Sequence, residues 1–172
     1  MSPQSQAEIL LERAINHYSG ANQQIAARVE SWRGRNRGVD RDRVAEVFLS
    51  SIHDQNVNIR YWAVEGLAYL ATDAAIAPLL DVFHDDSSPM IRERAACGLA
   101  QSGMFSAEQR RTAVPRLLDF AQDGALDAGT RTWVFQALRD ITGQTLPHDA
   151  NAWRHWYSTK DSRWNPVTRD GQ

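Results

Sequence analysis

Three stretches of the chain, 59–68 (IRYWAVEGLA), 91–100 (IRERAACGLA) and 130–139 (TRTWVFQALR), repeat one pattern built around an arginine. Each places the arginine at its second position, followed by small or apolar residues at the spacing of one helix face. The arginines of successive stretches lie 32 and 39 positions apart. Self-similarity at such a period is the signature of a repeat architecture, in which each unit packs against its neighbours.

A second series of apolar stretches alternates with the first: 44–54 (VAEVFLSSIHD), 75–85 (AIAPLLDVFHD) and 113–123 (AVPRLLDFAQD). Each closes on an aspartate, and a short polar turn then leads into the next arginine stretch. Pro78 and Pro115 stand near the starts of their segments, and proline fits the first turn of a helix because its missing N–H would be unpaired there. The repeating unit is therefore helix, turn, helix, turn. Such amphipathic pairs bury their apolar faces only by stacking into one continuous core.

The order of aspartate, short turn, hydrophobe-Arg, Ala-Ala-x-Gly-Leu and then x-Ala-x-x-Pro-Leu-Leu is similar to bacterial HEAT-like repeats, the short kind also found in phycobilin lyase subunits. Arg60, Arg92 and Arg131 match the arginine of that family. The positions that match its turn aspartate are Asp54, Asp85 or Asp86, and Asp123 or Asp127. The resemblance covers residues 40–157 well and 5–39 weakly. It implies an all-α fold, a right-handed α-solenoid of about four helical pairs with an N-terminal cap helix.

The chain of 172 residues suits one repeat domain over 1–157, with a polar, flexible tail over 158–172. Trp153, Trp156 and Tyr157 are expected to cover the core of the last repeat. With 42% hydrophobic and 23% charged residues, the composition excludes wholesale disorder. No apolar run is long enough to span a membrane, and the N-terminus lacks the basic region of a secretory signal. We therefore expect a cytoplasmic protein that does not contact membranes, and the resemblance to HEAT-like repeats implies a bacterial one.

The helix arginines and turn aspartates recur in register, and two interpretations compete. In the first, each arginine pairs with an aspartate and locks one repeat onto the next, while aspartates also cap helix N-termini. In the second, the arginines form a row that binds phosphate. We favour the first interpretation because an aspartate lies in the turn before each arginine stretch.

The charge distribution disfavours nucleic acid as the partner. The formal net charge is -2, but residues 44–90 hold seven acids against a single arginine, Arg60. Phosphate binding needs clustered cations, whereas a basic protein partner suits such a surface. The exception is segment 32–38 (WRGRNRG), in which arginine and glycine alternate beside an aromatic residue. That pattern is typical of RNA contact, and equally of a solvated connector.

The sequence contains few residues in patterns that are typical of metal binding or catalysis. His53 and His84 hold equivalent places in adjacent repeats, but no further ligand accompanies them, so we expect helix C-terminal histidines and no metal site. The single cysteine, Cys97, lies among small apolar residues without a nearby histidine, and we expect a small core side chain. No P-loop, dinucleotide-binding or His-Glu-x-x-His motif is present. We expect no catalytic residue and no cofactor.

Two enzyme-associated roles remain as alternatives because HEAT-like proteins serve many functions. One is a lyase subunit acting on a bound tetrapyrrole, and the other is a glycosylase that excises alkylated bases from DNA. The glycosylase would need aromatic and acidic groups together on a concave face. The residues that could supply them are Trp62, Trp133, Asp81 and Asp119.

The leading hypothesis is a non-catalytic protein–protein interaction module or adaptor whose partner is an unidentified and preferably basic protein. The second-series helices would line the concave face, because the ladder arginines belong to the other series. From helical geometry, six non-core residues of these helices are expected to contact the partner. They are Glu46, Ser50, Asp81, His84, Arg116 and Asp119.

Overall fold

The computed structural model describes residues 41–160, and within that range every regular element is helical. The eight α-helices are α1 (Arg41–Ser51), α2 (Val57–Leu70), α3 (Asp73–Asp85), α4 (Pro89–Cys97), α5 (Ala107–Arg111), α6 (Val114–Gln122), α7 (Ala128–Thr142) and α8 (Ala150–Thr159). A π-helical turn, Gly98–Ser102, continues α4. The all-α class expected from the repeats is confirmed for this part of the chain.

The helices stack in two layers, because each helix packs against its neighbour in sequence and against the equivalent helix of the next unit. Helices α1 and α3 pack together, as do α6 and α8, and side chains join α3 to α6. We call these four helices the front layer. Helix α4 packs against both α2 and α7, and these three helices form the back layer. The second-series stretches thus occupy the front layer, and the arginine stretches occupy the back layer.

The core lies between the layers and runs through all the units as one cluster. Its largest fully buried side chains include Trp62, Phe83 and Trp153. The glycine of the repeat motif lets the helices approach closely. A Cβ built on Gly66 of α2 would lie 2.6 Å from the Phe48 ring of α1, and one on Gly98 would lie 2.9 Å from Ala68 Cβ.

Aspartates cap two of the helices, as the sequence predicts. Asp127 Oδ1 accepts a hydrogen bond from Thr130 N at 2.9 Å, and Asp149 Oδ1 accepts one from Asn151 N at 2.8 Å. The two prolines differ, however. Pro115 stands in the first turn of α6, but α3 begins at Asp73, so Pro78 lies inside that helix. The expectation for Pro78 was wrong because α3 starts ahead of the apolar stretch used to place it.

Residues 103–111 form an insertion that lengthens one turn between the repeat helices, and this insertion has structure of its own. It begins after the π-helical turn and contains α5, whose N-terminus carries a capping box between Ser106 and Gln109. Gln109 Nε2 then reaches back to α3, donating to Ala71 O at 2.9 Å and to Asp73 Oδ1 at 2.7 Å. This side chain ties the insertion to the start of the front-layer helix.

Helix α8 closes the described end of the stack. Trp153 is fully buried, and its Nε1 donates to Pro147 O at 2.9 Å, while Trp156 and Tyr157 are half-buried against the core. The helix ends at Thr159, two residues into the stretch assigned to the tail. The remaining tail, the N-terminal cap helix and segment 32–38 lie outside the described residues.

Candidate functional site

The back-layer arginines join neighbouring units through what we call junction pairs. Arg60 Nε donates to Asp86 Oδ2 at 2.8 Å and its Nη2 donates to Asp86 Oδ1 at 3.1 Å, which is a bidentate contact. Arg92 Nη2 donates to Asp127 Oδ2 at 2.9 Å. Each arginine also donates to a main-chain carbonyl of the turn before its own helix. The predicted ladder is confirmed at these two steps.

The third arginine differs from the first two. Arg131 Nη2 donates to the carbonyls of Asp123 and Leu126, at 3.2 and 3.0 Å. Among the residues that the structure describes, no ion pair of Arg131 is found. Two of the three repeat arginines are thus paired with carboxylates, so these two are not free to bind phosphate.

The six residues expected to contact a partner all reach the surface of the front layer. Glu46, Ser50, Asp81 and Asp119 are exposed, whereas His84 and Arg116 are half-buried. Neighbouring side chains of opposite charge engage several of them. Arg116 Nη2 donates to Asp81 Oδ1 at 2.7 Å, and Arg154 Nη2 donates to Asp119 Oδ1 at 2.5 Å. We call these contacts the front pairs.

Sequence reasoning missed Arg154 because it treated α8 only as a cover for the core. The signal was present as a spacing. Asp81 and Arg116 lie 35 positions apart, and so do Asp119 and Arg154. An aspartate on one front helix followed by an arginine 35 residues later therefore marks a cross-repeat pair in this chain.

His84 bridges two units. Its Nε2 lies 2.8 Å from Asp123 Oδ2, its Nδ1 lies 2.5 Å from Asp85 Oδ1, and its ring lies 4.6 Å from the Phe120 ring. Burial works to lower the pKa of His84, but the hydrogen bonds and charges of the two aspartates outweigh it and raise that pKa above its ordinary value. Hydrogen bonds from Ala125 N and from His84 lower the pKa of Asp123. The imidazolium thus sits in a site that favours its charge.

A groove opens between α3, α5 and α6, with a volume of about 580 Å³. Ile76, Ala77 and Leu80 of α3 line it, and the carboxylates of Asp73 and Glu108 border it. Arg116 borders it as well, so the groove adjoins the front pairs. The predicted contact set contained only Arg116 of these residues. The signal for the groove was the insertion, whose position in space the sequence did not give.

The residues considered for metal binding and catalysis do not come together. In residues 41–160, no group of three or more histidine, cysteine, aspartate or glutamate side chains is placed to hold a metal ion. His53 is exposed, and His84 is engaged by its two aspartates. Cys97 is half-buried beside a hollow of about 30 Å³ between α4 and α7.

The aromatic and acidic residues considered for base excision lie on different layers. Trp62 is buried in the core on α2, and Trp133 lies half-buried on α7, so both belong to the back layer. Asp81 and Asp119 lie on the exposed front layer. The combination that a glycosylase would need on one concave face is therefore not assembled by these four residues.

A buried carboxylate occurs in the back layer, where Glu65 Oε1 lies 3.3 Å from Arg94 Nε. Burial raises the pKa of Glu65, and the charge of Arg94 opposes that shift. Because Glu65 sits among core residues of α2 and already faces a cation, we assign this pair to packing between α2 and α4.

The stacked helix pairs and their junction pairs define an α-helical repeat protein. A sequence model described as HEAT repeats matches residues 7–100 and 43–139. The chain therefore belongs to the HEAT-repeat family. A comparison with curated proteins finds no match, and a comparison with solved structures finds none either. No helix in the described range 41–160 has the length and apolar character needed to cross a membrane.

Proposed function

We propose that this chain is a non-catalytic adaptor that binds a basic protein partner on its front layer. The proposal treats the stack as a right-handed solenoid with the front layer on its concave side, in the cytoplasm of a bacterium. HEAT repeats commonly serve as scaffolds for protein interaction, which supports this class of function over catalysis. An extended surface built on packed helices is preorganised, so a partner binds with a small loss of conformational freedom.

The choice of a basic partner rests on one observation. The single arginine of segment 44–90, Arg60, is held in a junction pair with Asp86, and its side chain is only 12% exposed. It therefore cannot balance the carboxylates of α3, which holds Asp73, Asp81 and Asp85 and no arginine or lysine. A partner with a complementary positive surface would be attracted to this layer and oriented on it.

The test is affinity capture with the tagged full chain from a lysate of its source organism, followed by mass spectrometry. We expect a small set of proteins bound by the native chain and lost from the Asp81→Lys/Asp119→Lys variant. The matched control is Glu93→Lys/Asp140→Lys, which reverses two exposed carboxylates on back-layer helices. Capture that survives the front-layer reversal as well as the control would refute the assignment of this face.

The enzyme-associated alternatives are tested with the same purified chain. Incubation with a free bilin and a phycobiliprotein acceptor, and with DNA carrying an alkylated base, should give neither attachment nor base release. Turnover in either assay would overturn the non-catalytic proposal, whatever the capture experiment shows.

A further inference from the structure

We propose that the groove between α3, α5 and α6 is the specificity pocket of the front layer and receives one arginine or lysine side chain from a partner segment. This inference rests on the proposed function, because it names the chemistry by which the partner is recognised. It concerns a site about 580 Å³ in volume, within the range of roughly 300–1,000 Å³ that is usual for ligand pockets.

The lining fits a long cationic side chain in two parts. Ile76 and Leu80 are 8% and 2% exposed and present an apolar floor together with exposed Ala77. Two exposed acidic residues, Asp73 and Glu108, also line the groove, and we call them the border carboxylates. Arginine and lysine carry an aliphatic stem that packs on apolar surface and a cationic head that seeks water or carboxylate. The aliphatic stem would pack on the apolar floor of the groove, and the cationic head would approach Asp73 and Glu108.

The charge balance of the groove favours a cation. Arg116 is the cation on its lining, and Asp81 Oδ1 neutralises it at 2.7 Å from Nη2. Asp73 accepts a hydrogen bond from the neutral side chain of Gln109, and among residues 41–160 neither Asp73 nor Glu108 forms an ion pair. Because Arg116 already has a carboxylate partner, the carboxylates of Asp73 and Glu108 favour a cationic side chain over a neutral one in the groove.

The wall opposite α3 is fixed before any partner arrives. Gln109 Oε1 accepts from Ser106 N at 2.9 Å, while its Nε2 donates to Ala71 O and Asp73 Oδ1. The two bonds from Nε2 tie α5 to the turn before α3 and to the first residue of that helix, while the bond from Ser106 N is internal to the N-terminus of α5. A preformed wall lowers the ordering that binding requires, which is how a shallow groove gains selectivity.

The test measures binding of two fluorescein-labelled peptides to the full chain by fluorescence anisotropy. The first peptide is Ala-Leu-Arg-Ala-Leu-Ala, and the second has glutamine in place of the arginine. We expect the arginine peptide to bind about tenfold tighter at low salt, equivalent to about 1.4 kcal/mol. In Asp73→Asn/Glu108→Gln the preference should fall below about threefold, since the border charge is gone.

Two controls keep the result interpretable. Glu93→Gln neutralises an exposed back-layer carboxylate and should leave the tenfold preference unchanged. Glu108→Gln alone alters an exposed side chain of α5, and should reduce the preference even if the double variant fails to fold. Equal binding of the two peptides to the native chain would overturn the inference, as would full selectivity in the neutralised variants.

The outcome also separates this inference from the proposed function. If the lysate partners are lost on front-layer charge reversal while the peptides bind equally, the adaptor proposal stands and the pocket assignment falls. If arginine is preferred but capture is unchanged by the front-layer charge reversal, the pocket assignment is supported. The assignment of the whole front layer as the binding face is then refuted.

Discussion

Two sets of arginine–aspartate pairs connect neighbouring units of this chain, and they differ in how much water reaches them. In the junction pair Arg60–Asp86, the side chains are 12% and 6% exposed at an Nε–Oδ2 distance of 2.8 Å. In the front pair Asp119–Arg154, the side chains are 67% and 42% exposed at 2.5 Å. The second junction pair, Arg92–Asp127, is intermediate, with side chains 14% and 54% exposed. The Arg60–Asp86 contact therefore differs from the front pairs both in burial and in being bidentate.

The difference assigns the two sets to different tasks. A buried pair that is also bonded to main-chain carbonyls leaves an uncompensated charge when it is broken, and that is strongly destabilising. An exposed pair contributes little because water and salt solvate its partners almost as well. The junction pairs therefore hold the units in register, whereas the front pairs add little to the stability of the stack.

The largest effect is expected from Arg60→Met. This change leaves Asp86 buried without its cation and removes a donor from the Asp54 carbonyl, so the free energy of unfolding should fall by about 3 kcal/mol. Urea denaturation followed by circular dichroism measures it. Arg116→Met, which breaks a front pair, should lower the same quantity by no more than about 1 kcal/mol. Equal losses would abolish the distinction between the two sets.

A second interior change tests the close approach of α1 and α2. Gly66→Ala would drive a methyl group into the buried Phe48 ring, and we expect a loss of about 2 kcal/mol from overpacking. Gly124→Ala is the matched control, because a Cβ there would meet nothing within 4 Å. Thermal and urea unfolding of both variants should separate them clearly, and a Gly66→Ala variant as stable as the native chain would contradict the close packing of α1 on α2.

On the front side, His84 gives a pH-dependent prediction. Its raised pKa means that its contribution to stability is fully present below the unfolded value of 6.5 and is lost as pH rises through the folded pKa. The lowered pKa of Asp123 means that its contribution is present above 3.8 and is lost as pH falls through the folded pKa. The pairing is therefore strongest between these two values.

His84→Gln should accordingly lower stability at pH 5.5 by up to about 1 kcal/mol, and by less at pH 8.5, where the imidazole has lost its charge. Urea unfolding at the two pH values measures the difference. Asp123→Asn should reproduce the pH dependence, because it removes the other member of the pair. A loss that grows towards pH 8.5 would show that the histidine acts through packing on Phe120 instead.

The smallest effect belongs to the front pair itself. A double-mutant cycle with Asp119→Asn and Arg154→Met should give a coupling free energy below about 0.5 kcal/mol. Repeating the unfolding measurements at about 1 M salt, where the screening length is ~3 Å, should remove the remaining coupling. A coupling above about 1.5 kcal/mol would mean that the front pairs stabilise the fold as much as the junction pairs do.

The sequence predicted the alternation of helices and the junction pairs at Arg60 and Arg92 because both follow from periodicity. The partners of Arg131 and His84 could not be read in the same way. Asp123 was a candidate for the ladder, yet its carboxylate faces His84 and only its carbonyl faces Arg131. Which group turns towards which neighbour depends on the rotation between units, and a linear pattern does not record it.

The sequence predicted which surface of the stack carries the candidate site, but it did not predict the groove within that surface. Helical spacing correctly brought the six contact residues to the front-layer surface, and their role in binding stays a prediction. The groove was not predicted because its lining combines Asp73 of α3 with Glu108 of α5, and an irregular insertion brings these two helices together. Gln109 fixes that insertion through contacts 36 and 38 positions away, and no local propensity encodes contacts of that range.

The insertion that contains α5 also makes one unit unlike the others. A stack of identical units offers equivalent binding positions at every step, so a ligand could slide by one period and bind equally well. A wall built at a single step removes that degeneracy and leaves one alignment favoured above its shifted copies. Under the proposed function, the nine inserted residues would set where along the stack an elongated ligand binds.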